Sequence, residues 1–145
     1  MLRVDNASVV YGQVAGLREV SITVNNGEIV TIIGANGAGK SSLLNAITGV
    51  VPLKVGGIWL DERQISGLSS HRTVHMGLAY VPEGRQIFGS MSVMDNLTMG
   101  AYPHCAGNMI GSFRYVGWLL RRPQVQSNLE TVFKLFPLLQ ERLKQ

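Results

Sequence analysis

The sequence predicts an α/β fold in which a glycine-rich loop joins a buried strand to a helix. Residues 28–33, EIVTII, are almost uniformly apolar, as in a strand covered on both faces. The stretch GANGAGKSS follows immediately at 34–42. Apolar residues within 43–47 then repeat at helical spacing, and Gly49 suits the end of a helix.

Strands are also predicted on the N-terminal side of this unit. Residues 2–10 and 21–24 have the composition of strands, and the turn NNG at 25–27 predicts a hairpin between 21–24 and 28–33. Beyond the loop, VGGIWLDERQI at 55–65 predicts a second hairpin.

Later elements are indicated by caps and breakers. LAYV at 78–81 predicts another buried strand, which Pro82 ends. Ser92 with Asp95, and Ser127 with Glu130, form the pattern of capping boxes that begin helices. Pro137 is expected to divide the second helix. No element is predicted within 101–126.

Composition restricts the class of protein. With 145 residues, 46% of them hydrophobic and 15% charged, the chain suits one globular domain. A net charge of +4 without a basic cluster gives no indication of nucleic-acid binding. No apolar run approaches the roughly 18 residues of a membrane span. The single cysteine, Cys105, excludes an internal disulfide.

The loop at 34–41 matches the pattern G-x-x-x-x-G-K-[ST]. Glycines let consecutive N–H groups turn inward around an anion, and the helix that follows adds the positive end of its dipole. Lys40 supplies a positive charge to the outer phosphates, and the Ser41 hydroxyl is placed to ligate Mg²⁺. The predicted ATP-binding residues are Gly34, Ala35, Asn36, Gly37, Ala38, Gly39, Lys40, Ser41 and Ser42.

Two longer stretches resemble a known family. VVYGQVAGLREVSITVNNGEIVTIIGANGAGKSSLLNAITGV resembles the start of an ABC transporter ATPase subunit. GLAYVPEGRQIFGSMSVMDNLTMGAY at 77–102 is most similar to the LivF-type subunits of branched-chain amino-acid importers. This resemblance implies a P-loop NTPase core of the ABC ATPase type with an antiparallel β subdomain and the start of a helical subdomain. Residues 1–145 would form a partial nucleotide-binding domain, with the core at 1–91 and the helical part at 92–145.

The resemblance also assigns two further site residues. Tyr11 falls on the aromatic position that stacks on adenine. VPEGRQIF falls on the Q-loop, where Glu83 occupies the position of the usual glutamine. Glu83 could offer an oxygen to Mg²⁺ or to a water, although a carboxylate on a solvent-facing turn is the alternative.

The hydrolytic half of such a site is not found in the sequence. Hydrolysis requires a carboxylate that fixes Mg²⁺ and another that orients water. The chain has no Leu-Ser-Gly-Gly-Gln-like signature, and Asp61-Glu62 after an apolar run is more typical of a hairpin turn than of a Walker B strand. His71 and His75 lie four residues apart without an evident third ligand. The resemblance places Gln145 shortly before the signature, so we expect the N-terminal part of such a subunit, with no catalytic residue.

The implied function is ATP binding, with Mg²⁺, in a subunit that powers amino-acid import. Its partners would be transmembrane permease subunits and a second ABC ATPase subunit, and it would lie in the cytoplasm, on the inner face of the membrane. The partner surface would be 86–102 with the helix at 128–144. Alternatives are a non-hydrolysing nucleotide-binding or interaction fragment and a urea or amide importer subunit. In the segment at 112–123, aromatic residues alternate with arginine, which suits either a membrane-surface anchor or, as we favour, a connecting segment beside the permease.

Overall fold

The computed structural model describes residues 1–84, 86–101 and 122–145, which form two compact units, Met1–Val81 and Pro82–Gln145. All but the last two residues of the segment 112–123 lie outside these ranges, as do His104 and Cys105. Within the described ranges, no helix is both long and apolar enough to cross a membrane. The predicted functional division at residues 91 and 92 remains a prediction.

The first unit is built on a four-stranded antiparallel sheet. Its strands are β1 (Leu2–Tyr11), β2 (Val14–Val24), β3 (Val55–Leu60) and β4 (Arg63–Gln64), in the order β2-β1-β3-β4. The predicted strand at 2–10 and the hairpin at 55–65 are therefore confirmed. The predicted strand at 21–24 forms the end of the longer β2.

A bulge keeps the apolar side chains of β1 on one face. The pairing of β1 with β2 shifts between Val4 and Ala7, where Asn6 has a φ of 49°. The Asn6 N–H donates to the Ser21 hydroxyl at 2.9 Å and so remains paired. Because of the extra residue, Val4, Ala7 and Val9 are all buried although their spacing is not strictly alternate.

A helix covers this face of the sheet. Helix α1 (Lys40–Ile47) packs against β1 and β2. It ends as the sequence predicts, with Gly49 at a φ of 75° just after the last turn. The core of the first unit consists of Val4, Ala7, Val9, Leu17, Leu43, Ala46, Ile47, Ile58 and Ile65.

Two predicted strands and one hairpin are wrong. Residues 28–33 and 78–81 form no strand, and β2 pairs with β1 instead of continuing into a hairpin at 25–27. Ile29 is 94% exposed and Ile33 is 92% exposed, so this segment is not covered on both faces. The physical reason is that a strand needs a neighbour to pair with, and the described residues provide none beside either segment.

The remaining helices of the described ranges are short. They are α2 (Ser70–His75), α3 (Val93–Gly100), α4 (Pro123–Leu135) and α5 (Pro137–Glu141). The capping box at Ser92 is confirmed, as is the division of the last helix at Pro137. The capping box at Ser127 is wrong, because Pro123 occupies the first turn and already begins the helix.

Candidate functional site

The glycine-rich loop precedes α1 as predicted. Gly34–Ala38 form an exposed segment with a turn, in which the Ala38 N–H donates to the Ala35 carbonyl at 3.1 Å. Gly39 is the N-cap residue of α1, and Lys40, Ser41 and Ser42 form its first turn.

Positive φ angles shape the loop at two glycines. Gly37 has a φ of 86° and Gly39 has a φ of 92°, in the left-handed region that glycine adopts without steric cost. Gly39 is also required by space, because a Cβ there would lie 2.6 Å from the Gly16 carbonyl oxygen. The loop therefore turns into the helix through two positions at which any residue other than glycine would be strained.

The start of α1 has the properties of an anion site. Its N-cap residue, Gly39, has no side chain to cap it, no other described residue does so, and no acidic residue lies in its first turn. The first N–H groups of a helix lack internal partners and carry the positive end of its dipole. An anion at this end would meet both the free donors and a favourable field.

Lys40 lies back over the loop. Its Nζ donates to the carbonyl oxygens of Gly34 and Ala35, both at 2.8 Å. Its ammonium group is thus held beside the loop by two neutral acceptors rather than by a carboxylate. An anionic ligand offers a stronger, charge-assisted partner for the same group.

The structure brings Tyr11 to the same region. Tyr11 is the last residue of β1 and is 44% exposed. The edge of its ring and the Ser42 hydroxyl both approach Gly16, since a Cβ on Gly16 would lie 2.5 Å from Tyr11 Cε2 and 3.0 Å from Ser42 Oγ. Sequence reasoning missed Gly16. An isolated glycine inside a strand is the indication that could have found it, because such a glycine often marks a close approach.

Glu83 belongs to the second unit and is exposed. The predicted contact of Glu83 with Mg²⁺ or water therefore remains a prediction. Ser41 is exposed and lies in the first turn of α1, as its predicted role requires.

The sequence contains two other residue pairs that were candidates for catalysis or metal binding, Asp61 with Glu62 and His71 with His75. Asp61 and Glu62 form the two-residue turn between β3 and β4, and an Asp61 carboxylate oxygen accepts from the N-terminal ammonium of Met1. The rings of His71 and His75 meet edge to face with centroids 4.7 Å apart. Among the described residues, no group of three or more His, Cys, Asp or Glu side chains is arranged to hold a metal.

Comparison with known proteins assigns this fold and loop to a family. The family model for ABC transporters matches residues 17–144, and the chain belongs to that family. The chain is 37% identical over 145 residues to the high-affinity branched-chain amino acid transport ATP-binding protein BraG of Pseudomonas aeruginosa, covering all of this chain and 55% of BraG. It is 30% identical over 139 residues to the probable branched-chain amino acid transport ATP-binding protein LivG of Methanocaldococcus jannaschii, covering 96% of this chain and 52% of LivG.

A solved structure has the same fold. The crystal structure of a nucleotide-free ATP-binding cassette from an ABC transporter superposes with a TM-score of 0.76 at 27% identity, over 100% of this chain and 56% of that one. The chain thus spans about half the length of the relatives that it matches.

Proposed function

We propose that this chain binds MgATP through the loop at 34–42 and belongs to a subunit that powers the import of branched-chain amino acids. The observation that carries the proposal is the start of α1, which has no side-chain cap and no acidic residue in its first turn. Lys40 adds a positive charge at the same loop. These features fit a ligand with several phosphate groups.

Each part of the site would bind a different part of MgATP. The backbone N–H groups of the loop and the first turn of α1 would bind phosphate oxygens, and Lys40 would exchange the carbonyls of Gly34 and Ala35 for the outer phosphates. The Ser41 hydroxyl would ligate Mg²⁺, which neutralises charge on phosphate oxygens when it is bound. Tyr11, with its partly exposed ring, would stack on adenine.

Isothermal titration of the folded chain with MgATP tests this proposal. Lys40→Ala removes a charged donor, and hydrogen bonds to charged groups contribute about 1.5–3 kcal/mol, so we expect a loss of affinity of roughly ten- to hundredfold. Lys54→Ala is the matched control, because Lys54 is exposed and uses its backbone N–H to pair with Ser8. Absence of MgATP binding by the unaltered, folded chain would refute the proposal.

Hydrolysis and transport are proposed for the whole protein. The chain has no sequence that matches a signature or Walker B motif, so we expect no ATP turnover above background from this chain alone. Turnover that Lys40→Ala abolishes would contradict this expectation. The choice of branched-chain amino acids is supported by the similarity to BraG and LivG, which are named as a branched-chain amino acid transport ATP-binding protein and a probable one.

The proposed partners are transmembrane permease subunits and a second ATPase subunit. In the second unit, an open cavity of about 720 Å³ offers a largely apolar surface to a permease. Met99 lines it and is 47% exposed. Co-purification with the transmembrane subunits of a branched-chain amino-acid importer tests this surface. We expect Met99→Glu to abolish co-purification while MgATP affinity is unchanged, and retained co-purification would exclude this surface.

A further inference from the structure

We infer that Gly16 is a positioning residue that sets the place of the Tyr11 ring relative to the phosphate-binding loop, and therefore the distance from adenine to phosphate. This inference rests on the proposed function. It concerns a residue that has no side chain and that lies on the neighbouring strand, between the two parts of the site.

Gly16 is required by space and not by its backbone angles. Its φ lies outside the left-handed region, so any residue could adopt its conformation. A Cβ on Gly16 would, however, lie 2.5 Å from Tyr11 Cε2 and 2.8 Å from Tyr11 Cδ2. These distances are far shorter than any ordinary carbon–carbon contact. The Tyr11 ring therefore lies against the backbone of Gly16, in space that any other residue would fill.

The loop contacts Gly16 as well. A Cβ on Gly39 would lie 2.6 Å from the Gly16 carbonyl oxygen, and Ser42 Oγ lies 3.0 Å from the place of a Gly16 Cβ. One residue of β2 therefore touches the aromatic ring and also the start of α1. The next residue, Leu17, is only 6% exposed and holds this part of β2 in the core.

The exposure of Tyr11 favours a role in binding over a role in packing. A ring that served only the core would be buried, and Tyr11 is 44% exposed at the end of a strand. The short connection from Tyr11 to Val14, which are paired across β1 and β2, fixes the ring near the turn. The ring is thus held at one edge, on a residue that is not buried and can be reached by a ligand.

Gly16→Ala tests the inference with two ligands, MgATP and magnesium tripolyphosphate, which lacks the base. The added methyl group would displace the Tyr11 ring. We expect the affinity for MgATP to fall roughly five- to hundredfold, the range of lost base stacking, while the affinity for tripolyphosphate changes less than about twofold. Unchanged affinity for MgATP would overturn the inference. An equal loss for both ligands would also overturn it, because the loop itself would then be distorted.

Two further variants complete the experiment. Ala15→Val adds two carbons at the adjacent, exposed residue and should bind both ligands like the unaltered chain. Removing the ring relieves the two shortest contacts and leaves Ser42 Oγ at 3.0 Å, which a small rotation of that side chain can lengthen. Tyr11→Ala with Gly16→Ala should therefore bind MgATP as weakly as Tyr11→Ala alone. If Gly16→Ala fails to fold, the double variant should still fold, and its failure would contradict the assigned contact. Tyr11→Ala with unchanged MgATP affinity would overturn the inference, whereas failure of the unaltered chain to bind either ligand would refute the proposed function instead.

Discussion

The side-chain amide of Asn96 binds the backbone of Phe88 at both polar atoms. The Phe88 N–H donates to Asn96 Oδ1 at 2.9 Å, and Asn96 Nδ2 donates to the Phe88 carbonyl at 3.1 Å. The same Nδ2 lies 3.0 Å from the Ser92 carbonyl oxygen. One residue of α3 thus fixes the segment that follows Glu83 and that lines the proposed permease surface.

Asn96→Ala should release this segment. The change leaves the polar atoms of the exposed residue Phe88 to pair with water, and we expect it to lower the free energy of unfolding by about 0.5–1.5 kcal/mol. Hydrogen exchange should accelerate at the Phe88 N–H in particular. Asn128→Ala is the control, because Asn128 is exposed on its helix and, among the residues that the structure describes, its side chain bonds to Gln124 alone. Equal Phe88 protection in Asn96→Ala and the unaltered chain would contradict the assigned contact.

The two serines of the predicted capping boxes should behave differently. The Ser92 hydroxyl accepts from the Asp95 N–H at 3.1 Å, so Ser92→Ala should cost about 1 kcal/mol of stability. Ser127 is exposed inside α4, where alanine favours the helix, so Ser127→Ala should be neutral or stabilising by at most about 0.5 kcal/mol. Denaturant unfolding of both variants measures the difference. Similar losses in both would show that Ser127 caps a helix after all.

The turn between β3 and β4 should be improved by glycine. Asp61 has a φ of 45° and Glu62 has a φ of 66°, the two positive angles of a type I′ turn. A residue with a Cβ is strained there by about 1–2 kcal/mol, so we expect Glu62→Gly to raise the free energy of unfolding by about 1 kcal/mol. Arg63→Gly, in the adjacent strand, should lower it by a similar amount. A lower unfolding midpoint for Glu62→Gly would exclude strain at this turn.

Local chemistry explains which elements the sequence could predict. The cap at Ser92, the break at Pro137 and the loop at 34–42 depend on residues within a few positions of one another, and the structure has all three elements. The pattern at Ser127 also depends on nearby residues, but Pro123 begins the helix one turn earlier and so places Ser127 inside it.

Features that depend on the pairing of separate segments are harder to predict from local sequence patterns. The strands predicted at 28–33 and 78–81 depend on neighbours that the local pattern does not specify, because a ladder is formed by two segments. The contact of Tyr11 with Gly16 is a similar case. Four residues, which include a tight turn, separate the two, and the pairing of β1 with β2 brings the ring onto the glycine.

The end of α1 gives a further prediction about the helix that carries Lys40. Gly49 has a φ of 75°, and a Cβ there would lie 2.4 Å from the Leu68 carbonyl oxygen, which belongs to the backbone and cannot rotate away. Gly49→Ala therefore combines left-handed strain with displacement of the segment at Leu68, and we expect a loss of about 3 kcal/mol or more.

Gly67→Ala separates these two costs. Gly67 has a φ of 83°, but no atom of the described part of the chain lies within 4 Å of the place of its Cβ. Its substitution should therefore cost only the left-handed strain, about 1–2 kcal/mol. Thermal and denaturant unfolding of the two variants under one set of conditions measures the difference. A Cβ on Gly49 would meet backbone atoms of Leu68, Ser69 and Ser70 within 3.2 Å, whereas Gly67 has no such neighbour among the described residues. Equal losses would therefore mean that the end of α1 is not held against that backbone.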